Sequence, residues 1–581
     1  MLDWEHGIPD FSLPGLPMTP GIGPTDFSFD PALYHDAPMT FNPFEPVSAY
    51  AKTLAPAAHA VHDHIHISPV ETSPSSQAAR LATSLLLPFD TTSGEPSLDN
   101  QASSNAQIVG VSGESDPYLL SRFRYDQHNE AAFQSIRVRK MDSDIEETIP
   151  TFFTIAPDAL ASKAQPPPER SEILDRYRQE MQEIVDDEVG KRLIRLFYKY
   201  CQPYFPLLSR EGRHMRDADG VREPSGVPTC ILAAIYGHAL PFCAWDEKLC
   251  VDVYQPPSAD ALFSIAWQAC MPMLHTPSLA VLQTLLLLVQ RRPTNKHVSD
   301  TPVKFTMMTT AVAIAQALGL NRDPTDWPLP SWEIKVRKRL GWATFVQDKW
   351  LALNFGRSSH IQADDWDIEP LTEDDFPDAD RRGPDAPAGF HGQHFMKLCE
   401  LTVIVDDIMH KLFALRAAKA LHGSLEATLE VAKPLRIRLT EWYQSLPAGL
   451  MPQPNVGSPD SARRRSLQHE LDGNGSLHLA YITAKIELFR AMLRPRVTDS
   501  NANAVAALRI GALAVAKEVT EFLEGLNARE LEAFWGSCKL GEIAREGPMS
   551  LLTSQRCADQ LHHCVQLHAA SIRDLADLGR R

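Results

Sequence analysis

Asp374-Asp375-Phe376-Pro377-Asp378 is the stretch whose residue types and spacing come nearest to a catalytic motif. Carboxylates in a D-D-x-x-D pattern on one helix face hold magnesium against a diphosphate. They open one reading, an all-α magnesium-dependent isoprenoid-diphosphate enzyme using Asp374, Asp375 and Asp378. Pro377, with Gly383 and Pro384 close behind, predicts a loop instead, where the carboxylates share no helix face. No second metal motif of the N-D-x-x-S-x-x-x-E kind is present, so a solvated acidic loop is the better expectation.

Other candidates are weaker. His62, His64 and His66 alternate and would share a side of an extended segment, but no organising shell of polar groups surrounds them. The nine cysteines, Cys201, Cys230, Cys243, Cys250, Cys270, Cys399, Cys538, Cys557 and Cys564, are odd in number and dispersed. They read as buried free thiols of a reducing compartment. Cys557 and Cys564 are seven apart on a predicted helix, two turns along one face, where packing in a core outweighs zinc binding. No C-x-x-C pair occurs, so a multi-cysteine zinc cluster cannot be assembled from this sequence. Arg463, Arg464 and Arg465 form a short basic run in a Ser/Pro/Gly loop, a weak nuclear-import signal. Phosphate-binding, dinucleotide-binding, nucleophile-elbow and H-E-x-x-H motifs are missing too. No catalytic, cofactor-binding or metal-binding residue is assigned, and the chain is not expected to be an enzyme.

The elements that would position any site are mostly helical. From about Glu169 to the end, apolar residues recur every three or four positions. The expected helices cover Leu174–Tyr200, Thr229–Leu240, Asp260–Met273, Ser278–Arg291, Phe305–Leu320, Trp332–Leu353, Phe395–Ala418, Leu425–Leu446, Ser476–Leu493, Ala504–Leu526 and Arg556–Leu578. No series of alternating strands is visible, so the fold class is all-α, with long irregular loops near 365–393 and 447–474.

Three segments are expected along the chain. Residues 1–108 hold two basic residues against twelve acidic ones and fourteen of the 45 prolines. Such an arm buries too little apolar surface to offset its ordering entropy and reads as disordered. Its aromatics beside acids, among them Trp4, Phe27, Phe29, Phe41 and Phe44, suit an activation segment or a solubilising tail. Residues 109–168 read as a short ordered element, with a turn or helix start at Asp116-Pro117, an apolar face of Tyr118, Leu119, Leu120 and Phe123, and a linker at Pro166, Pro167 and Pro168. Residues 169–581 form the helical domain. The run Ala261 to Gln290 lacks charge but is broken by Gln268, Pro272, His275 and Pro277, which argues for two buried helices and against a membrane span. A net charge of -17 excludes gripping nucleic acid through bulk positive charge.

Ser278 to Leu371 is the most informative stretch. After a helix apolar nearly all round, Gly319 should take a left-handed cap and Trp327 should plug the next element. Ser331 reads as an N-cap, with Glu333 in the first turn and Arg337 four residues on. Trp342, Val346 and Trp350 form one stripe, and Lys335, Arg337, Lys338 and Arg339 a basic collar. The order Ala-Leu-Gly-Leu-Asn-Arg-Asp, then Trp-Glu-x-x-x-Arg-Lys-Arg-Leu-x-Trp, then Asp348, then Gly-Arg-Ser and an acidic tail resembles the fungal-specific transcription factor domain, the middle homology region of zinc-cluster regulators. Gly341 departs from it, standing where a second Trp is usual, and is expected to loosen the helix by roughly 1 kcal/mol relative to Ala. Val109–Leu120, with the helices at Ser278 and Val336, further resembles the TamA-type coactivators of fungal nitrogen catabolism.

The resemblance implies a nuclear regulator of RNA polymerase II genes. Its zinc ions would belong to a cluster ahead of this domain, and no cysteine precedes Cys201. The chain therefore either lacks that cluster through truncation or acts with a DNA-bound transcription factor partner in place of direct promoter DNA contact. The arm would recruit transcription machinery, and homodimers or heterodimers are open. No membrane partner is expected. An inert helical scaffold is the remaining alternative.

Overall fold

The computed structural model describes residues 97–99, 104–133, 136–141, 149–161, 167–209, 226–252, 256–291, 302–376, 392–451, 471–495, 501–526, 530 and 532–535. His62, His64, His66, Pro166, Asp378, Arg463–Arg465, Cys538, Cys557, Cys564 and the run Arg556–Leu578 lie outside them, as does residue 1–96 of the arm.

Helices arise where the apolar period is 3.6, as expected. In chain order they are α1 (Pro167–Ile184), α2 (Asp187–Tyr200), α3 (Thr229–Ala239), α4 (Ala259–Cys270), α5 (Leu279–Val289), α6 (Pro302–Ala317), α7 (Ser331–Phe355), α8 (Gln393–Ile408), α9 (Leu415–Leu421), α10 (Leu425–Gln444), α11 (Gly475–Met492) and α12 (Ala502–Glu524). Two expected helices are split. Leu174–Tyr200 breaks after Ile184, because Asp186 turns extended and accepts the N–H groups of Glu188 and Val189, capping a new helix. Phe395–Ala418 ends its α form at Ile408, passes through a π turn over Met409–Phe413 and resumes as α9. Pro167 opens α1 and is no linker, since a first-turn proline lacks only an N–H that has no helical partner anyway.

Each helix packs on its neighbours: α3 against α2, α4 and α5, α5 against α6, α6 against α7, α7 against α8, α8 against α10 and α11, and α11 against α12. Every residue of α5 except Ala280 is buried, so a sequence apolar but for Gln283 and Thr284 makes a central core helix.

The departure from a purely helical fold is a four-stranded antiparallel sheet of order β1-β4-β3-β2, built from β1 (Ser104–Ile108), β2 (Glu130–Phe133), β3 (Ile136–Lys140) and β4 (Phe152–Pro157). β1 lies before residue 108, within the stretch whose composition reads as arm. One sheet face, with Ala106, Phe153 and Ile155, packs on Trp327 and Leu329 of the helical part together with Leu98 and Met141. On the opposite face Val138 and Phe152 are covered by Val109, Leu120 and Tyr125. Among the described residues no helix is long and apolar enough to cross a membrane.

Candidate functional site

The chemistry-bearing residues singled out above converge on α7 and the segments around it. Ser331 is the first residue of α7 and not its cap; Pro330 precedes it and no side chain caps the helix. Glu333 is fully buried and does more than favour the helix dipole. It takes the Nε and Nη2 of Arg337 at 2.9 and 2.8 Å, and the Leu98 N–H at 3.2 Å from each carboxylate oxygen. Arg337 spends Nη1 on the Leu318 carbonyl at 2.9 Å and lies over the Phe153 ring at 5.9 Å. A buried ion pair is tolerable only when such hydrogen bonds satisfy its remaining atoms.

The basic collar is mostly interior, with Arg337, Lys338 and Arg339 buried. Arg339, 0% exposed, donates to the carbonyls of Pro206, Leu208 and Asp375 at 3.0, 2.9 and 2.5 Å. Lys338 reaches Asp323 at 3.7 Å and Asp375 at 3.5 Å. Lys349 ties the Ile361 carbonyl at 2.7 Å and the Asp406 carboxylate at 2.8 Å. Arg339 and Lys349 clamp loop backbones onto one helix and Lys338 faces two loop carboxylates, which is the geometry of a positioning scaffold.

At the other end of α7, Gly356 takes the left-handed C-cap at φ 60° and Arg357 lies over the Phe305 and Phe355 rings at 4.9 Å each. The returning chain wraps the buried Asp348 carboxylate, which accepts Ser359 Oγ at 2.6 Å, His360 Nδ1 at 2.6 Å, and the N–H groups of His360 and Ile361 at 3.0 Å. Burial pushes this carboxyl's pKa up, but the bonds from His360, Ser359 and Ile361 outweigh it and hold it below the usual range. His360 Nε2 meets Thr309 Oγ1 at 2.9 Å, while the Thr309 hydroxyl also lies 3.1 Å from the Phe305 carbonyl of its own helix. The Asp-His-Thr line thus fastens the loop to α6. The acidic tail closes the frame, because Asp367 N–H donates to the Asn321 carbonyl at 2.8 Å and Glu369 N–H to Asp323 at 3.0 Å.

Asp374 and Asp375 fall on a 3-10 turn, as the loop expectation required. Asp374 faces solvent, whereas Asp375 is buried and accepts the Thr372 N–H and hydroxyl at 2.7 and 3.1 Å. The two carboxylates do not present one face to a diphosphate, and Asp375 is committed to folding its own turn. The isoprenoid reading is given up on that geometry.

The zinc cluster that the resemblance implies does not fit the described residues. No group of three or more His, Cys, Asp or Glu among them could hold a metal ion. Burial raises the pKa of Cys230, Cys243 (to about 11), Cys270 and Cys399, the reverse of what a zinc thiolate needs.

The segment Val109–Leu120 forms a turn and one helical turn, Pro117–Leu120, with Asp116 accepting the Tyr118 N–H at 2.8 Å. Of its apolar face only Leu120 goes inward: Tyr118, Leu119 and Phe123 are about half exposed, and Phe123 meets Phe133 edge-on at 5.4 Å between ring centroids.

Residues missed in the sequence include Leu98 and Asp99. Asp99 Oδ1 accepts the Leu279 N–H at 2.9 Å, adding an acidic cap to α5 beside Ser278. A Ser-Leu-Asp triplet in a Pro/Ser-rich stretch gives no periodic signal by which to find it.

With this helix-centred frame in place, residues 194–444 match the family described as the fungal specific transcription factor domain. The chain is similar to Transcriptional activator protein DAL81 of Saccharomyces cerevisiae, 28% identical over 401 residues, or 62% of this chain and 39% of that protein. An uncharacterized transcriptional regulatory protein of Schizosaccharomyces pombe is 24% identical over 320 residues, 53% of this chain and 44% of that protein. Cutinase transcription factor 1 alpha of Fusarium vanettenii is 24% identical over 258 residues, 44% of this chain and 27% of that protein. The chain thus spans less than half the length of these relatives. No solved structure matches it.

Proposed function

We propose that this chain is the regulatory and effector part of a fungal transcription regulator acting in the nucleus on RNA polymerase II genes. The observation that carries the reading is the match over 194–444, whose charged residues are spent on clamping loops around α7. A net charge of -17 favours recruitment through a DNA-bound partner over direct promoter binding by this chain. In this reading residues 1–108 are an acidic activation segment that contacts transcription machinery, 109–168 is an accessory element, and 169–581 is the regulatory domain. The likeness of Val109–Leu120 to TamA-type coactivators supports the coactivator form of the proposal.

Tethering tests it. The chain is fused to an unrelated DNA-binding domain and a reporter is read in a fungal nucleus. Activation that falls when residues 1–96, which precede Leu98 and β1, are removed supports the reading. A fusion that accumulates in the nucleus and leaves the reporter unchanged in both directions sinks it, and leaves an inert scaffold. Gel-shift titration of the untethered chain should show no promoter binding by itself.

A further inference from the structure

The outer face of the sheet is only partly covered. Val138 and Phe152 lie under Val109, Leu120 and Tyr125. By register Ala131 faces Val138 and Phe133 faces Ile136, and residues two apart on a strand share a side, so Phe133 and Ile136 continue that same face. They are left open, at 39% and 36% exposure. Phe123 meets Phe133 edge-on and is itself exposed, as are Tyr118 and Leu119 on the helical turn just before it. Single exposed apolar residues are ordinary, but five gathered on one turn and one strand pair, three of them aromatic, have the composition of an interaction surface.

The charges around the patch select its occupant. Arg122 and Arg124 flank Phe123, are exposed, and make no ion pair among the described residues. From Pro117 to Met141 five cations stand against two carboxylates, Asp126 and Glu130. Glu130 is taken by Arg137 and Arg139, and Asp126 Oδ1 accepts the N–H groups of His128 and Glu130 at 2.8 and 2.9 Å. In a chain of net charge -17 this is a locally basic surface. Screening beyond about 8 Å at physiological salt keeps distant acids from cancelling two arginines at contact. Strand addition is disfavoured, because the Asp126 N–H donates to the Glu130 carbonyl at 2.9 Å and closes the start of the β2 edge. A second copy of the chain would bring the same arginines to the patch and add like charge.

We propose that this face of the sheet docks an acidic segment of a partner protein. Aromatic or leucine side chains of that segment seat on Phe123, Phe133 and Ile136, and its carboxylates pair with Arg122 and Arg124. The docking does not depend on the regulatory reading, since it asks only that the segment bind.

Fluorescence anisotropy on the full chain tests this with a labelled peptide of Asp and Glu carrying Phe, Leu and Trp at three- and four-residue spacing. The peptide should bind, and more weakly as salt rises. Phe123→Ser should weaken binding by on the order of tenfold or more. Arg122→Glu combined with Arg124→Glu should weaken it by a similar factor and remove most of the salt dependence. All three side chains are exposed, so the thermal midpoint should not move. Ile510→Ser, at an exposed apolar residue of α12, should leave binding as it is. No binding to the native chain, equal binding of a peptide with Asn and Gln in place of its acids, or an affinity that either set of sheet variants leaves unchanged overturns the inference. Binding that appears only once residues 1–96 are removed also overturns it, since the patch would then serve the chain itself. Self-association that Phe123→Ser abolishes would assign the patch to a second copy and overturn it too.

Discussion

A methyl group on Gly341 would stand 2.4 Å from the Leu320 carbonyl oxygen and 2.3 Å from Ile368 Cδ1. Read along the sequence, this glycine merely weakens a helix; in the fold it is the point where α7 approaches the turn after α6. Gly341→Ala should therefore destabilise by about 1–3 kcal/mol through overpacking, against the roughly 1 kcal/mol that helix propensity alone would gain. Urea midpoints of the two proteins decide which effect wins. Asp348 was legible as part of the motif, but its role depends on Ser359, His360 and Ile361 folding back eleven to thirteen residues later. Asp348→Asn puts an amide where donors already point and should cost roughly 3 kcal/mol at pH 7. Because the folded pKa of Asp348 is depressed, its contribution is full above about 4, the unfolded value, and is lost as pH falls through the folded one. The gap between native and Asn proteins should accordingly narrow in acid, which chemical denaturation below pH 4 would show.

Elements were legible where one period dominates. α5 and α6 announce themselves by apolar spacing, and Asp186 carries in plain view the cap that splits α1 from α2. The sheet was not legible, since its strands are four to six residues long, alternate with polar residues, and sit among turns. Ser104–Ile108 reads Ser-Asn-Ala-Gln-Ile, indistinguishable in composition from the arm before it, and only pairing with β4 makes it a strand. The candidate frame suffers likewise: Glu333 and Arg337 are visible as an i,i+4 pair, but nothing local says that Leu98 will seal them. Ser97–Asp99 and the sheet should thus be integral to the helical domain. Leu98→Ala should lower stability by about 2–3 kcal/mol through lost burial and a residual cavity. A fragment beginning at residue 169 should melt below one beginning at residue 97, because it uncovers Trp327 and Leu329. Calorimetry on the two fragments checks this, and equal Tm values would show the sheet to be a mere appendage.

Across the whole molecule the charges are placed so that acid attacks one seam first. His394 on α8 and His478 on α11 both sit at the beginning of α11, His394 3.1 Å from Ser476 Oγ and His478 against the rings of Phe522 and Tyr443. Burial pulls His478 down to about 4 and His394 down to about 3, and each keeps a buried Nδ1 without a partner among the described residues. The unfolded chain takes up a proton on each near pH 6.5, whereas the folded chain stays neutral until far lower. Stability must then rise with pH across the interval from about 4 to 6.5, because there the unfolded state binds more protons. Each histidine should take roughly 2 kcal/mol from stability between pH 7 and pH 5. Asp246, Asp348 and Asp407, all depressed, keep their contribution across that interval and lose it only below. Replacing His394 and His478 by Phe should flatten the decline between pH 7 and 5 and leave the loss below pH 4 in place. Denaturation midpoints at pH 7, 5 and 3.5 separate the two regimes. An unchanged slope between pH 7 and 5 in the double variant would mean that the seam between α8, α10 and α11 admits the proton without opening.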